Sequence, residues 1–143
     1  MTTSLQHYTR QALRQLAFTN IELSIHKTLK LREIIHFSKI HSPWYRDKLG
    51  SLDPEEVTLE NMDQLIPSIT KYEYMNNWDD ICTDRSLKKI DILKFLENEK
   101  NRSESTYLFK NKYHIISTSG SSGMAGFYLY DSNEWLQYCS QYA

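Results

Sequence analysis

Glycine is scarce in this chain, with 4 residues among 143, whereas tyrosine has 10. Turns that need a left-handed backbone must therefore be few, or concentrated in one place. Cysteine is nearly absent too: the 2 residues, Cys82 and Cys139, lie far apart and form no metal or redox motif. Each reads as a buried, inert thiol, in keeping with a reducing compartment. No stretch approaches the roughly 20 apolar residues needed to span a bilayer, and Met1 to Arg14 holds no apolar core of a secretion signal. A cytoplasmic protein without membrane contact is the expectation. Net charge is −1 with both signs interspersed, so a nucleic-acid partner is not expected either.

The five histidines, His7, His26, His36, His41 and His114, include no i, i+4 pair and none stands at ligand spacing from a cysteine, so no metal site is expected. Glu55-Glu56 and Asp79-Asp80 are adjacent carboxylates that would point to different faces of a helix. Helix-end charge explains them better than acid–base pairing, and no catalytic residue is assigned.

What glycine there is gathers near the end. Gly120, Gly123 and Gly126 fall at even three-residue spacing within Ser117-Thr118-Ser119-Gly120-Ser121-Ser122-Gly123-Met124-Ala125-Gly126. Tyr113–Ser117 before this run and Phe127–Tyr130 after it have the composition of short strands. A loop of this kind lets successive N–H groups turn inward, and its hydroxyls add donors, which suits a phosphate or pyrophosphate. By composition alone a Ser/Gly run is also a flexible linker, but here apolar strand-like residues close it in on both sides. It has neither the Lys-Ser/Thr pair of a Walker loop nor the helix that should follow a dinucleotide fingerprint.

Upstream the pattern is helical. Leu5, Tyr8, Ala12, Leu13 and Leu16 recur at helical spacing between Ser4 and Phe18, with Ser4 as a cap. A second helix is expected from a cap at Asn20 to about His41. Ser42-Pro43 then separates it from a short helix to Leu49 that stops at Gly50. Asp53-Pro54-Glu55-Glu56 is a polar turn, Leu59–Leu65 a brief helix, and Thr70–Trp78 a helix with a capping box from Thr70 to Glu73. Leu87–Glu99 is helical through Ile90, Leu93 and Leu96, and the polar stretch from Asn98 to Ser105 is an exposed connection. Tyr107 and Phe109 suggest a strand, and Asp131 to Glu134 caps a final helix containing Trp135, Leu136, Cys139 and Tyr142. The fold class expected is α+β, one incomplete domain over 1–143, with a helical region 1–100 and a strand–loop–strand–helix region 106–143. So few strands leave unpaired edges, to be covered by more polypeptide, a second chain or the N-terminal helices. The aromatic residues crowding the end serve mainly to pack strand and helix faces.

Thr118-Ser119-Gly120-Ser121-Ser122-Gly123-Met124-Ala125-Gly126 resembles the phosphate-binding loop of the adenylate-forming enzymes, the superfamily of acyl-CoA synthetases, luciferases and peptide-synthetase adenylation domains. Ser42-Pro43-Trp44-Tyr45-Arg46-Asp47-Lys48-Leu49 and Leu65-Ile66-Pro67-Ser68-Ile69-Thr70-Lys71-Tyr72-Glu73-Tyr74 resemble segments upstream of that loop in the phenylacetate-CoA ligase-like branch. The resemblance covers most of the chain but only the opening part of such an enzyme's α/β N-terminal domain. It implies binding of ATP with Mg2+, activation of a carboxylic acid as an acyl-adenylate, and transfer to a thiol such as coenzyme A. Thr118, Ser119, Gly120, Ser121, Ser122 and Gly123 are the positions it implies for holding the leaving pyrophosphate.

Met124-Ala125 stands where many members of the superfamily have Lys-Pro, and no lysine or arginine follows Lys112. Charge for a phosphate is then expected from a metal ion or from elsewhere. The adenine-binding segment, ribose-binding aspartate and mobile C-terminal domain of family members have no counterpart here. The expectation is the front part of a ligase, or a truncated relative, inactive by itself. The competing expectation is a non-catalytic helical binding module whose Ser/Gly loop holds an anion or merely turns a hairpin.

Overall fold

The computed structural model describes residues 5–100, 108–120 and 125–140. They form a mostly helical α+β chain with one antiparallel pair of strands. The chain groups into two compact units, Thr19–Lys89 and a second made of Met1–Phe18 with Ile90–Ala143.

The Thr19–Lys89 unit is built on α2 (Asn20–His41). Its start is fixed by Thr19, not Asn20: the Thr19 hydroxyl accepts from the Glu22 N–H, and the Glu22 carboxylate accepts the Thr19 N–H at 2.8 Å. This reciprocal capping box satisfies two N–H groups at once, which places the cap one residue earlier than composition suggests. Ser42 closes α2 and caps α3 (Pro43–Leu49), which ends as expected at Gly50, φ +49°. Ser42 is fully buried, and its hydroxyl accepts from the Tyr45 N–H and donates to the Asp80 carbonyl at 2.9 Å. One side chain thus ties a helix junction to the far end of the unit.

Beyond α3, Pro54–Glu56 form a single 3-10 turn. The expected helix over 59–65 shrinks to α4 (Met62–Leu65), because Thr58 and Asn61 hold the preceding residues as a turn: the Asn61 carboxamide accepts the Thr58 N–H and donates to the Glu56 carbonyl. Likewise the single helix expected over 70–78 divides into α5 (Lys71–Asn76), capped by Thr70, and α6 (Trp78–Ile81). Glu73 pairs with Lys48 at 3.3 Å. Ile35, Leu49 and Val57 form one core cluster, with Leu31, Tyr45, Leu52, Met62 and Ile66 packed around them, and Trp44, Met75, Trp78, Ile81 and Leu87 are buried in the same unit.

In the other unit, α1 (Leu5–Gln15) packs along α8 (Ser132–Ser140), which in turn lies against the hairpin. Helix α7 (Lys89–Lys100) supplies Phe95, whose ring meets Phe109 edge-on at 5.3 Å. Strands β1 (His114–Ser117) and β2 (Phe127–Tyr130) pair in the register His114 with Tyr130 through Ser117 with Phe127. Before them a tight turn reverses the chain through Lys110 and Asn111, both at positive φ, and Phe109 makes one bridge to Tyr113 rather than a strand. Tyr107, Ser4 and Tyr142, named above for a strand, a cap and the last helix, lie outside the described residues. Asp131 and Glu134 form the expected capping box, with Asp131 N–H to the Glu134 carboxylate at 2.7 Å and Glu134 N–H to the Asp131 carboxylate at 2.9 Å.

No helix among the described residues is long and apolar enough to cross a membrane, and no group of three or more His, Cys, Asp or Glu there is placed to hold a metal ion.

Candidate functional site

The Ser/Gly run connects β1 to β2, as its flanking residues predict, and the pairing continues one step past the strands. The Thr118 N–H donates to the Gly126 carbonyl at 2.9 Å. In the other direction the Gly126 N–H donates, also at 2.9 Å, to the Thr118 hydroxyl, where a regular ladder would use the carbonyl of residue 118. Residues 118 and 126 are therefore joined across the loop base by one side chain and one backbone bond. A linker has no such closure.

Gly120 adopts φ +70°, in the left-handed region, and a Cβ there would stand 3.1 Å from the Ala125 N and 3.3 Å from its Cα. Two constraints thus select glycine at this position, backbone conformation and the closeness of the returning chain. Ser121, Ser122 and Gly123, the remaining expected ligand positions, lie outside the described residues together with Met124.

Of the expected positions that are described, Ser119 is exposed and Gly120 half-buried, while the Thr118 hydroxyl is engaged at the loop base. Thr118 and Ser119 line an open groove of about 770 Å³, together with Ser117, Ala125, Gly126 and Phe127. The opposite wall is α7, through Leu93, Leu96 and Glu97. The spacing of Leu93 and Leu96 marks them as helical and apolar, but nothing local tells that this helix faces the loop; that pairing is tertiary. Among the described lining residues the only ionisable side chain is a carboxylate, and no lysine or arginine takes part.

Apart from exposed Tyr128, the described aromatic residues from His114 onward divide into two sets. Phe127 is buried beneath the loop. At the other end of the four-residue strands, about 10 Å away at ~3.4 Å per residue, His114 stacks on Trp135 (4.5 Å, 15°) and Trp135 on Tyr138 (5.6 Å, 22°), with Tyr130 beside them. All four are half-buried and pack β1 and β2 onto α8, so this cluster is structural packing and stands apart from the groove.

No protein-family model, curated protein or solved structure matches the chain.

Proposed function

We propose that the closed Ser/Gly loop is a phosphate-binding element, and that the chain supplies the pyrophosphate-binding portion of an ATP-dependent acid–thiol ligase of the adenylate-forming, phenylacetate-CoA ligase-like kind. The observation that carries this reading is the loop base: Thr118 and Gly126 close a hydroxyl-bearing turn that contains a left-handed glycine. A turn of this kind can present backbone N–H groups and short hydroxyls to phosphate oxygens, which is the positioning that nucleotidyl transfer needs. In the complete reaction a carboxylic acid would displace pyrophosphate from ATP, and coenzyme A would accept the acyl group.

The donor set bears on the metal. Ser117 and Ser119 offer hydroxyls for phosphate oxygens, whereas the described lining has no cation and carries Glu97. This combination suits a nucleotide that arrives with Mg2+, since that ion is commonly held by substrate phosphates plus one or two carboxylates. Mg2+ would supply the charge neutralisation of the leaving pyrophosphate. Within this chain the loop orients the phosphates and Glu97 lies on the groove wall.

The same lack of a cation favours a second reading, a non-catalytic module whose groove takes a neutral ligand. Titration with ATP separates the two. Amide shifts at Ser119 and Gly120 that require Mg2+ support the ligase-derived site, and their absence at millimolar nucleotide removes it.

A further inference from the structure

A phosphate loop alone needs hydrogen-bond donors, not an apolar wall. Yet the groove faces the loop with two leucines of α7, one turn apart on the same side of the helix, and Leu93 remains 41% exposed. An isolated exposed leucine is unremarkable in itself. Here it lines one groove with half-buried Leu96, with buried Phe127 of β2 and with the hydroxyl-bearing Ser117 and Ser119. The groove thus combines apolar surface from α7 with hydroxyls of the hairpin and its loop. Its volume, about 770 Å³, falls in the range of small-molecule sites, about 300–1,000 Å³.

Charge points the same way. The described lining carries the Glu97 carboxylate and no lysine or arginine, so none of these residues attracts an anion by its charge. Burial of an apolar group adds affinity that does not depend on charge.

We propose that Leu93 and Leu96 seat an apolar group carried by the ligand beside its phosphate, so that the site selects organic phosphates over inorganic ones. The proposal rests on the reading of the loop as a phosphate-binding element. The apolar group can belong to the nucleoside of a nucleotide or to the organic part of an acyl phosphate; both present the same chemistry to the two leucines.

The test uses the full chain, 15N-labelled, titrated separately with inorganic phosphate, phenyl phosphate, tripolyphosphate with Mg2+ and ATP with Mg2+, while the Ser119 and Gly120 amides are followed. Phenyl phosphate should bind about tenfold more tightly than inorganic phosphate, the factor expected when roughly 60 Å² of apolar surface is buried. Leu93→Gln keeps side-chain length and helix propensity at an exposed position, so the fold should be retained. It should bring phenyl phosphate to the inorganic value and leave inorganic phosphate unchanged. ATP exceeding tripolyphosphate by a similar factor identifies the nucleoside as the seated group. Equality of those two, with the phenyl preference intact, identifies the acyl side. Equal affinities for phenyl and inorganic phosphate, or a preference that survives Leu93→Gln, overturn the apolar seat and leave the loop reading standing. No response to any of the four ligands overturns the loop reading and the seat together.

Discussion

The Gly126 N–H donates to the side chain of Thr118 at 2.9 Å, while the Thr118 N–H donates to the Gly126 carbonyl at the same distance. A threonine hydroxyl therefore takes the place of a backbone acceptor at the point where the hairpin opens into its loop. The hairpin is a ladder up to Ser117 and Phe127, and one step beyond them residues 118 and 126 are joined by this hydroxyl and by one backbone bond.

Removing the hydroxyl leaves the buried Gly126 N–H without its acceptor. Thr118→Val should destabilise the hairpin unit by about 1–3 kcal/mol, measured by urea denaturation, and should speed amide exchange at Gly126. Thr118→Ser, which keeps the acceptor, should lose much less. Equal stability of the valine and serine variants would contradict the latch.

Glycine replacements should differ in what they meet. Gly50 and Gly120 both have positive φ, but a Cβ on Gly50 meets nothing within 4 Å, whereas on Gly120 it meets the Ala125 backbone at 3.1 Å. Gly50 stands at φ +49°, ψ −122°, outside the left-handed helical region, so Gly50→Ala should cost about 1–3 kcal/mol through backbone strain alone. Gly120→Ala adds a steric contact to the strain of its positive φ and should shift the Ala125 amide resonance. An Ala125 amide that does not move in Gly120→Ala would refute the close approach.

Much of the fold is legible in the sequence where signals are local. Pro43 and Gly50 bound α3, Asp131 and Glu134 announce α8, and β-branched and aromatic residues mark β1 and β2. The misreadings occur where a side chain competes with the helix backbone. Thr19 displaces Asn20 as a cap, and Asn61 with Thr58 shortens α4. In the candidate site the hairpin loop with Gly120 and Gly126 is legible, and so is the lack of lysine and arginine after Lys112. The α7 wall is not, because Leu93 and Leu96 match any amphipathic helix until the hairpin is seen opposite them. The Thr118 latch becomes visible only with the strand register, since 118 and 126 continue the pairing of His114 with Tyr130.

Ser42 should be among the most sensitive polar positions. It is fully buried and serves the Tyr45 N–H and the Asp80 carbonyl at once. Ser42→Ala should lower stability by about 1–3 kcal/mol, whereas Ser51→Ala at an exposed turn position should change it by less than about 0.5 kcal/mol. Similar effects from the two would show that the buried hydroxyl contributes nothing.

Cys82 should behave as a sluggish thiol. Burial pushes its pKa up, with the charge of Asp84 acting in the same direction, although its hydrogen bond to the Asp84 backbone works the other way. Unfolded chain then releases this proton first, so stability falls as pH rises past the ordinary thiol range. In a Cys139→Ser background, iodoacetamide should alkylate the native protein more slowly than the urea-unfolded protein, with the gap narrowing as pH rises. Equal rates near pH 8 would contradict a raised pKa.

The most direct test of the phosphate-binding reading is an ATP titration of the full 15N-labelled chain, with and without Mg2+, following the Ser119, Gly120 and Gly126 amides. Saturable shifts are expected at these residues with Mg2+ present, abolished by Thr118→Val and absent from the α2 amides. Unchanged Ser119 and Gly120 amides at millimolar ATP with Mg2+ would mean that the loop only turns a hairpin.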